Sequence, residues 1–123
     1  MEGKVIAITG GASGIGLSLA KLLVSRGAAI SIADVSRASL DRVFDAFKEA
    51  HLDVEKKVFM FQCDVRNLDQ VRDWIKQTLD NFGKLDGAAN LAGVIGKSHG
   101  SGGIDQTDED EWDFIIGVNL TVR

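Results

Sequence analysis

The chain has 123 residues, of which 45% are hydrophobic and 26% are charged, so its size and composition suit a single globular domain. A formal net charge of −4 argues against a nucleic-acid partner or an anionic membrane surface, and no apolar run reaches the length of a membrane span. Because the sequence shows one cysteine and no secretory signal, we expect a cytoplasmic protein without an internal disulfide.

Short apolar runs alternate along the chain with segments of helical periodicity. The apolar runs predict strands at residues 4–9, 29–33, 57–62 and 85–90. The helical periodicity predicts helices at residues 14–26, 36–51 and 67–82, and a last helix capped by Thr107 after a glycine-rich loop at 96–103. In the first helix, we expect the inward-facing stripe to consist of Ile15, Leu19, Leu22 and Leu23.

This alternation of strands and helices predicts an α/β fold. Near-continuous apolar strands are typical of a parallel sheet that is covered by helices on both faces. With right-handed crossovers, the expected strand order is 3-2-1-4, which is an incomplete Rossmann-like doubly wound sheet. We therefore expect residues 1–123 to form one dinucleotide-binding domain.

Directly after the first predicted strand comes a glycine-rich turn, TGGASGIG, at residues 9–16. Its glycines suit a tight turn, a close approach of phosphates to the backbone and close packing of the helix on the strand. The first backbone N–H groups of the helix and the hydroxyl of Ser13 can donate to a pyrophosphate. We predict that a dinucleotide is held by Gly10, Ser13, Gly14, Ile15 and Gly16, the alternative being a structural turn without a ligand.

An acidic residue, Asp34, ends the second predicted strand. A carboxylate at this place can accept hydrogen bonds from both hydroxyls of an adenine ribose and would repel a 2′-phosphate. No Arg or Lys lies between Gly10 and Gly16 to receive such a phosphate. The sequence therefore favours NAD over NADP as the cofactor, and the alternative is that Asp34 forms an Asx turn that caps the next helix.

Asp64 and Val65 follow the third predicted strand, at the same edge of the sheet. This position suits an adenine pocket in which Asp64 accepts a hydrogen bond from the exocyclic amine and Val65 packs on the ring. The alternative is a strand-end turn without a binding role.

Asn90, Ala92 and Gly93 stand at and after the end of the fourth predicted strand. Small residues there would let a cofactor pass close to the backbone, while Asn90 would either hold the loop or contact the ligand. In the last helix, Asn119 lies among apolar residues and is either a structural amide or part of a site.

The acidic residues between 105 and 113 are better explained by a helix N-terminus than by a metal site, so we expect no metal. His51 and His99 are isolated from other residues with metal-ligand spacing. If the scaffold had been adapted to a non-redox cyclisation or isomerisation, His99 and Asp105 in or near the glycine-rich loop would be its candidate acid or base.

Together these motifs resemble the short-chain dehydrogenase/reductase family over essentially the whole chain. The glycine turn is similar to the TGxxxGxG segment of the family, and residues 90–93 are similar to its NNAG segment with Leu91 in place of the second Asn. Asp34 and the pair Asp64-Val65 resemble its NAD-selecting and adenine-side residues. The resemblance implies an oxidoreductase that uses NAD(H) on an alcohol or carbonyl, with Asn119 as the tetrad Asn that positions a water in the proton relay.

The resemblance also implies a Tyr-x-x-x-Lys motif, yet the chain contains no tyrosine and ends four residues after Asn119, at Arg123. We therefore expect a truncated cofactor-binding part that does not turn over by itself and that is completed by a missing C-terminal half or assembles as a homo-oligomer. The alternative is a naturally short protein that binds a nucleotide or a partner without redox chemistry.

Overall fold

A computed structural model describes residues 1–50, 53–97, 100 and 102–121. Its parallel sheet consists of β1 (Val5–Thr9), β2 (Ala29–Asp34), β3 (Val58–Gln62) and β4 (Gly87–Asn90). The helices are α1 (Gly14–Ser25), α2 (Arg37–Ala50), α3 (Val54–Lys57), α4 (Leu68–Phe82) and α5 (Glu109–Asn119), with a 3-10 turn at Ile104–Gln106 before α5.

The strand order is β3-β2-β1-β4, and every strand pair is parallel, which confirms the predicted sheet. The register pairs Thr9 of β1 with Ala33 of β2 and with Asn90 of β4, and it pairs Asp34 with Gln62 of β3. The carboxyl ends of all four strands therefore lie along one edge, where ligands bind in open α/β sheets.

Two hydrophobic clusters cover the two faces of the sheet. On one face, residues of α1 and α2 such as Ala20 and Leu40 pack against Ile8, Ile30 and Ile32, which are fully buried. On the other face, the indole of Trp74 from α4 packs in a cluster with Ala7, Ala33 and Cys63. The predicted arrangement of helices on both faces is thus confirmed.

The predicted inward stripe of α1 was wrong at two of its four positions. Ile15 is 79% exposed and Leu22 is 45% exposed, whereas the residues buried by α1 are Gly16, Ala20, Leu23 and Val24. The physical reason lies in the glycine turn: a Cβ atom at Gly16 would collide with the carbonyl oxygen of Gly10. Because this close approach turns Gly16 toward β1, the buried stripe follows at 3.6-residue spacing from Gly16 and leaves Ile15 and Leu22 outside.

Other boundaries differ from the sequence prediction by small steps. The last helix is capped by Asp108 rather than Thr107, and the short helix α3 was not predicted. The fourth strand begins at Gly87 rather than at residue 85. Next to its start, the carboxylate of Asp86 accepts the N–H of Val5 at 2.7 Å, and the Asp86 N–H donates to the Val5 carbonyl at 2.9 Å. The predicted Asn67 cap of α4 is confirmed, since its side chain accepts from the N–H groups of Asp69 and Gln70.

His51 and His99 lie outside the described residues. Within the described ranges, no helix combines the length and the apolar character that are needed to cross a bilayer.

Candidate functional site

A cleft of about 350 Å³ opens at the carboxyl edge of the sheet. It is lined by residues from the segments that follow all four strands, and α5 contributes one wall through Phe114 and Val118. The cleft brings together ten of the residues that the sequence proposed for a site: Gly10, Ser13, Gly14, Ile15, Gly16, Asp34, Asp64, Val65, Ala92 and Gly93. Among the described residues, Asn90 and Asn119 are not part of its lining.

The glycine turn forms the floor of the cleft next to the start of α1. Gly10 and Gly14 have positive φ angles of 67° and 51°, which suit glycine far better than residues with a Cβ atom. A Cβ atom at Gly10 would lie 2.9 Å from the backbone of Ala92, whereas one at Gly14 would meet nothing within 4 Å. Gly14 therefore leaves open space in front of the helix N-terminus, where backbone N–H groups favour an anion.

Asp34 ties the end of β2 to the glycine turn. One carboxylate oxygen accepts from the N–H of Ala12 at 3.2 Å, and the other accepts from the N–H of Ser36 at 3.1 Å. The bond to Ser36 is the Asx turn that the sequence left open as the alternative role of Asp34. Since each carboxylate oxygen can accept more than one hydrogen bond, this structural role leaves further acceptor capacity at Asp34, which lines the cleft.

Thr9 fixes the other side of the cleft. Its buried hydroxyl oxygen accepts from the N–H groups of Leu91 and Ala92, at 3.1 and 3.2 Å. These bonds hold the segment after β4 against the glycine turn. Thr9 belongs to the predicted glycine motif without a separate role there, although a Thr at the end of a buried strand is a residue that needs a hydrogen-bond partner.

Asn119 clamps the same segment from α5. Its Oδ1 accepts from the N–H of Val94 at 2.8 Å, and its Nδ2 donates to the carbonyl of Val94 at 2.9 Å. In this arrangement Asn119 is a structural amide, which was one of the two roles left open by the sequence. A role in a proton relay stays a prediction.

Asp64 is engaged by its near neighbour Arg66. The Nη2 and Nε atoms of Arg66 donate to the two carboxylate oxygens at 2.6 and 3.0 Å, and the backbone N–H of Arg66 adds a further bond at 3.0 Å. The hydrogen bonds from the Arg66 side chain hold the pKa of Asp64 below its usual value. The predicted contact of Asp64 with an adenine amine remains untested by this geometry, but its carboxylate is not free.

Arg66, which was not among the predicted site residues, also contacts α5. Its guanidinium carbon lies 5.1 Å from the centre of the Phe114 ring, a cation–π distance. A Cβ atom at Gly117 would lie 3.3 Å from the Arg66 Cδ, so the arginine stem runs close along the helix. The spacing of an Arg two residues after Asp64 could have signalled its pairing with that carboxylate, but it does not signal the contact with α5.

Cys63 is among the residues that line the cleft, and it also packs in the cluster with Trp74. Burial, with a smaller effect of the Asp64 charge, raises its pKa to about 11. Acidic residues in the first turn of α5 are Glu109, Asp110 and Glu111, and the described part of the chain contains no group of three or more His, Cys, Asp or Glu residues placed to hold a metal.

With this geometry in place, comparison with known proteins is decisive for the family. A model of the family described as short chain dehydrogenase matches residues 4–122. The chain belongs to the short-chain dehydrogenase family. The family expected from the glycine turn and the segments that follow the other strands is thereby confirmed.

Among the curated members of this short-chain dehydrogenase family, the chain is similar to the short-chain dehydrogenase/reductase aba4 of Botryotinia fuckeliana. The two are 53% identical over 118 residues, which cover 96% of this chain and 45% of that protein. The chain thus spans somewhat less than half the length of the curated relatives that it matches.

Solved structures of the family confirm the fold. Levodione reductase matches with a TM-score of 0.88 at 32% identity, covering 98% of this chain and 45% of that one. A short-chain dehydrogenase/reductase from Burkholderia phymatum, solved in complex with NAD, matches with a TM-score of 0.83 at 30% identity, covering 97% of this chain and 40% of that one. The doubly wound sheet predicted for residues 1–123 is therefore the fold of the family.

Proposed function

We propose that this chain is the NAD(H)-binding part of an oxidoreductase that acts on an alcohol or a carbonyl compound. Family membership and the likeness to a structure solved with NAD support the cofactor class. The observation that carries the choice of NAD is Asp34, which lines the cleft and whose carboxylate accepts from the N–H of Ala12 in the glycine turn. When bound, the nicotinamide group would supply the hydride chemistry.

The cleft fits such a cofactor because its glycine turn leaves space where a side chain would otherwise stand. Gly14 has open space at its Cβ position, and the first N–H groups of α1 would face an anion bound at that end of the helix. The pyrophosphate would be held by Gly10, Ser13, Gly14, Ile15 and Gly16. Ser13 is the N-cap of α1 and has an extended backbone, but within the described residues its side chain makes no capping bond to the helix. Its hydroxyl would therefore be able to donate to the pyrophosphate.

The remaining parts of the cofactor would follow the edge of the sheet. Asp34 would accept from the hydroxyls of the adenine ribose, and Val65 would pack on the adenine ring. Ala92 and Gly93 would border the nicotinamide-side ribose, with Asn90 supporting that loop from the end of β4. Asn119 would keep the loop in place through Val94 and, in an enzyme completed by a catalytic Tyr and Lys, would position the relay water.

Titration calorimetry with NAD and NADP tests the proposal. We expect NAD to bind about tenfold more tightly or better, because Asp34 accepts from the ribose hydroxyls and repels a 2′-phosphate. Asp34→Asn removes the charge and should narrow this preference. Asp45→Asn, on the exposed face of α2, removes the same charge elsewhere and should leave the preference unchanged. Tighter binding of NADP than of NAD by the parent chain would contradict the assignment.

A further inference from the structure

Both carboxylate oxygens of Asp64 accept hydrogen bonds from Arg66. Its Oδ1 accepts from the backbone N–H and the Nε of Arg66, both at 3.0 Å, and its Oδ2 accepts from Nη2 at 2.6 Å and Nε at 3.2 Å. Three N–H groups of Arg66 thus contact the carboxylate, and the single Nε–H is shared between its two oxygens. The carboxylate of Asp64 is therefore already paired with Arg66 in the absence of a ligand.

Contacts on both sides keep Arg66 in this position. The guanidinium lies against the ring of Phe114, and the arginine stem runs beside Gly117. A fork that meets both carboxylate oxygens is also the strongest geometry for an Arg–Asp pair. Displacing Arg66 to admit a ligand donor would break all of these contacts together.

We propose that Arg66, by occupying both oxygens of Asp64, removes recognition of the purine 6-amino group, so that the cleft accepts a 6-oxopurine dinucleotide about as well as NAD. This inference rests on the proposed function, because it places the base beside Asp64 and Val65. A free carboxylate would accept from the adenine amine and repel the carbonyl oxygen that replaces the amine in hypoxanthine. With its charge countered by Arg66, Asp64 does neither, and the guanidinium N–H groups that Asp64 leaves unused can donate to the hypoxanthine oxygen.

Titration calorimetry of the 123-residue chain with NAD and with nicotinamide hypoxanthine dinucleotide tests the inference. We expect the two dissociation constants to agree within about threefold, since no hydrogen bond to the amine is lost. Arg66→Met keeps the stem but removes the side-chain donors and frees Asp64. In this variant, the hypoxanthine dinucleotide should bind about tenfold more weakly than NAD, or weaker still.

The matched control is Arg72→Met, which removes an exposed arginine from α4. Its ratio of the two dissociation constants should equal that of the parent chain. Circular dichroism checks that each variant is folded. If Arg66→Met does not fold, Arg66→Lys provides the same comparison, because a lysine cannot contact both oxygens as a fork. For this variant we expect a ratio of the two dissociation constants between that of the parent chain and that of a chain in which Asp64 is unpaired.

The outcomes separate this inference from the proposed function. A parent chain that prefers NAD over the hypoxanthine dinucleotide by more than about tenfold overturns the inference and leaves NAD binding intact. The same holds if freeing Asp64 does not change the ratio, since the base would then lie elsewhere. If neither dinucleotide binds, the proposed function and the inference fail together.

Discussion

At Gly10, the backbone of the glycine turn passes within contact distance of the segment that follows β4. The residue combines a positive φ with a Cβ position only 2.9 Å from Ala92, so a side chain would meet both backbone strain and a backbone collision. Gly3 has a similar φ of 71°, but nothing lies within 4 Å of its Cβ position. The two glycines thus separate the effect of conformation from the effect of crowding.

We expect Gly10→Ala to lower the free energy of unfolding by about 1–3 kcal/mol more than Gly3→Ala does, because only Gly10 adds overpacking to the shared strain. Urea denaturation of both variants measures the difference. Equal losses in the two variants would show that the approach to Ala92 is not tight.

Asp64 and Asp34 show what a sequence can reveal at the scale of single residues. Both lie in the cleft, as their places at strand ends predicted. The Asx turn of Asp34 was one of the alternatives that the sequence left open. The bond from Ala12 to Asp34 and the position of Arg66 against Phe114 were not predictable, because they depend on how distant segments pack. Thr9 and Asn119 gave only the weaker signal that a buried or embedded polar group needs a partner.

At the scale of elements, a polar relay joins β2 to α4 inside the second hydrophobic cluster. The indole Nε1 of Trp74 donates to the hydroxyl oxygen of Ser31 at 2.8 Å, and the hydroxyls of Ser31 and Thr78 lie 2.7 Å apart. Thr78 donates to the backbone carbonyl of Trp74 at 2.8 Å, so Ser31 is the donor to Thr78. Every group in this buried relay has a partner, and the bonds to Ser31 fix the position of α4 relative to β2.

Ser31→Ala should lower the free energy of unfolding by about 1–3 kcal/mol, because it leaves the buried Trp74 N–H without an acceptor. The loss should be smaller when Ser31→Ala is made in a Trp74→Phe background, where that donor is absent. Chemical denaturation of the four chains of this cycle measures the coupling. Ser25→Ala, at an exposed hydroxyl of α1, is the control and should change stability little. If the losses of unfolding free energy from Ser31→Ala and Trp74→Phe were additive, the two side chains would not be energetically coupled.

The elements themselves were largely readable from periodicity, and the exceptions have physical causes. Apolar runs and caps such as Asn67 are local signals, and they placed the strands and most helices correctly. The phase of α1 is a tertiary property, because the contact of Gly16 with Gly10 outweighs the hydrophobicity of Ile15 and Leu22. A sequence pattern alone cannot show which of two adjacent stripes a close backbone contact selects.

At the scale of the whole molecule, apolar groups gather near β4 and α5. Ile95 is 75% exposed and Leu120 is 73% exposed, and Trp112 is exposed as well. Within the described residues, β4 pairs with β1 alone, so its other edge offers unpaired backbone groups. The chain also spans less than half the length of its curated relatives. We propose that further polypeptide covers this region in the complete protein.

For the 123-residue chain by itself, we expect self-association through this region, because exposed apolar groups and an open strand edge favour it. Light scattering after size exclusion, over a range of concentrations, should show a mass that rises with concentration. Ile95→Lys should reduce the association, while Leu22→Lys, at an exposed apolar position of α1, should not. A constant monomer mass at all concentrations would contradict this expectation.

The amide groups of three successive residues in the glycine turn are held by the end of β2. Gly10 and Gly11 donate to the carbonyl of Ala33, and Ala12 donates to the carboxylate of Asp34. One carboxylate thus holds the turn and, under the proposed function, also selects an adenine ribose without a 2′-phosphate, so that a substitution of Asp34 would change both properties together. A substitution of Asp34 that is meant to favour NADP would also have to supply a new acceptor for the N–H of Ala12. Variants selected only for their affinity for NADP would gain that preference and lose rigidity of the glycine turn.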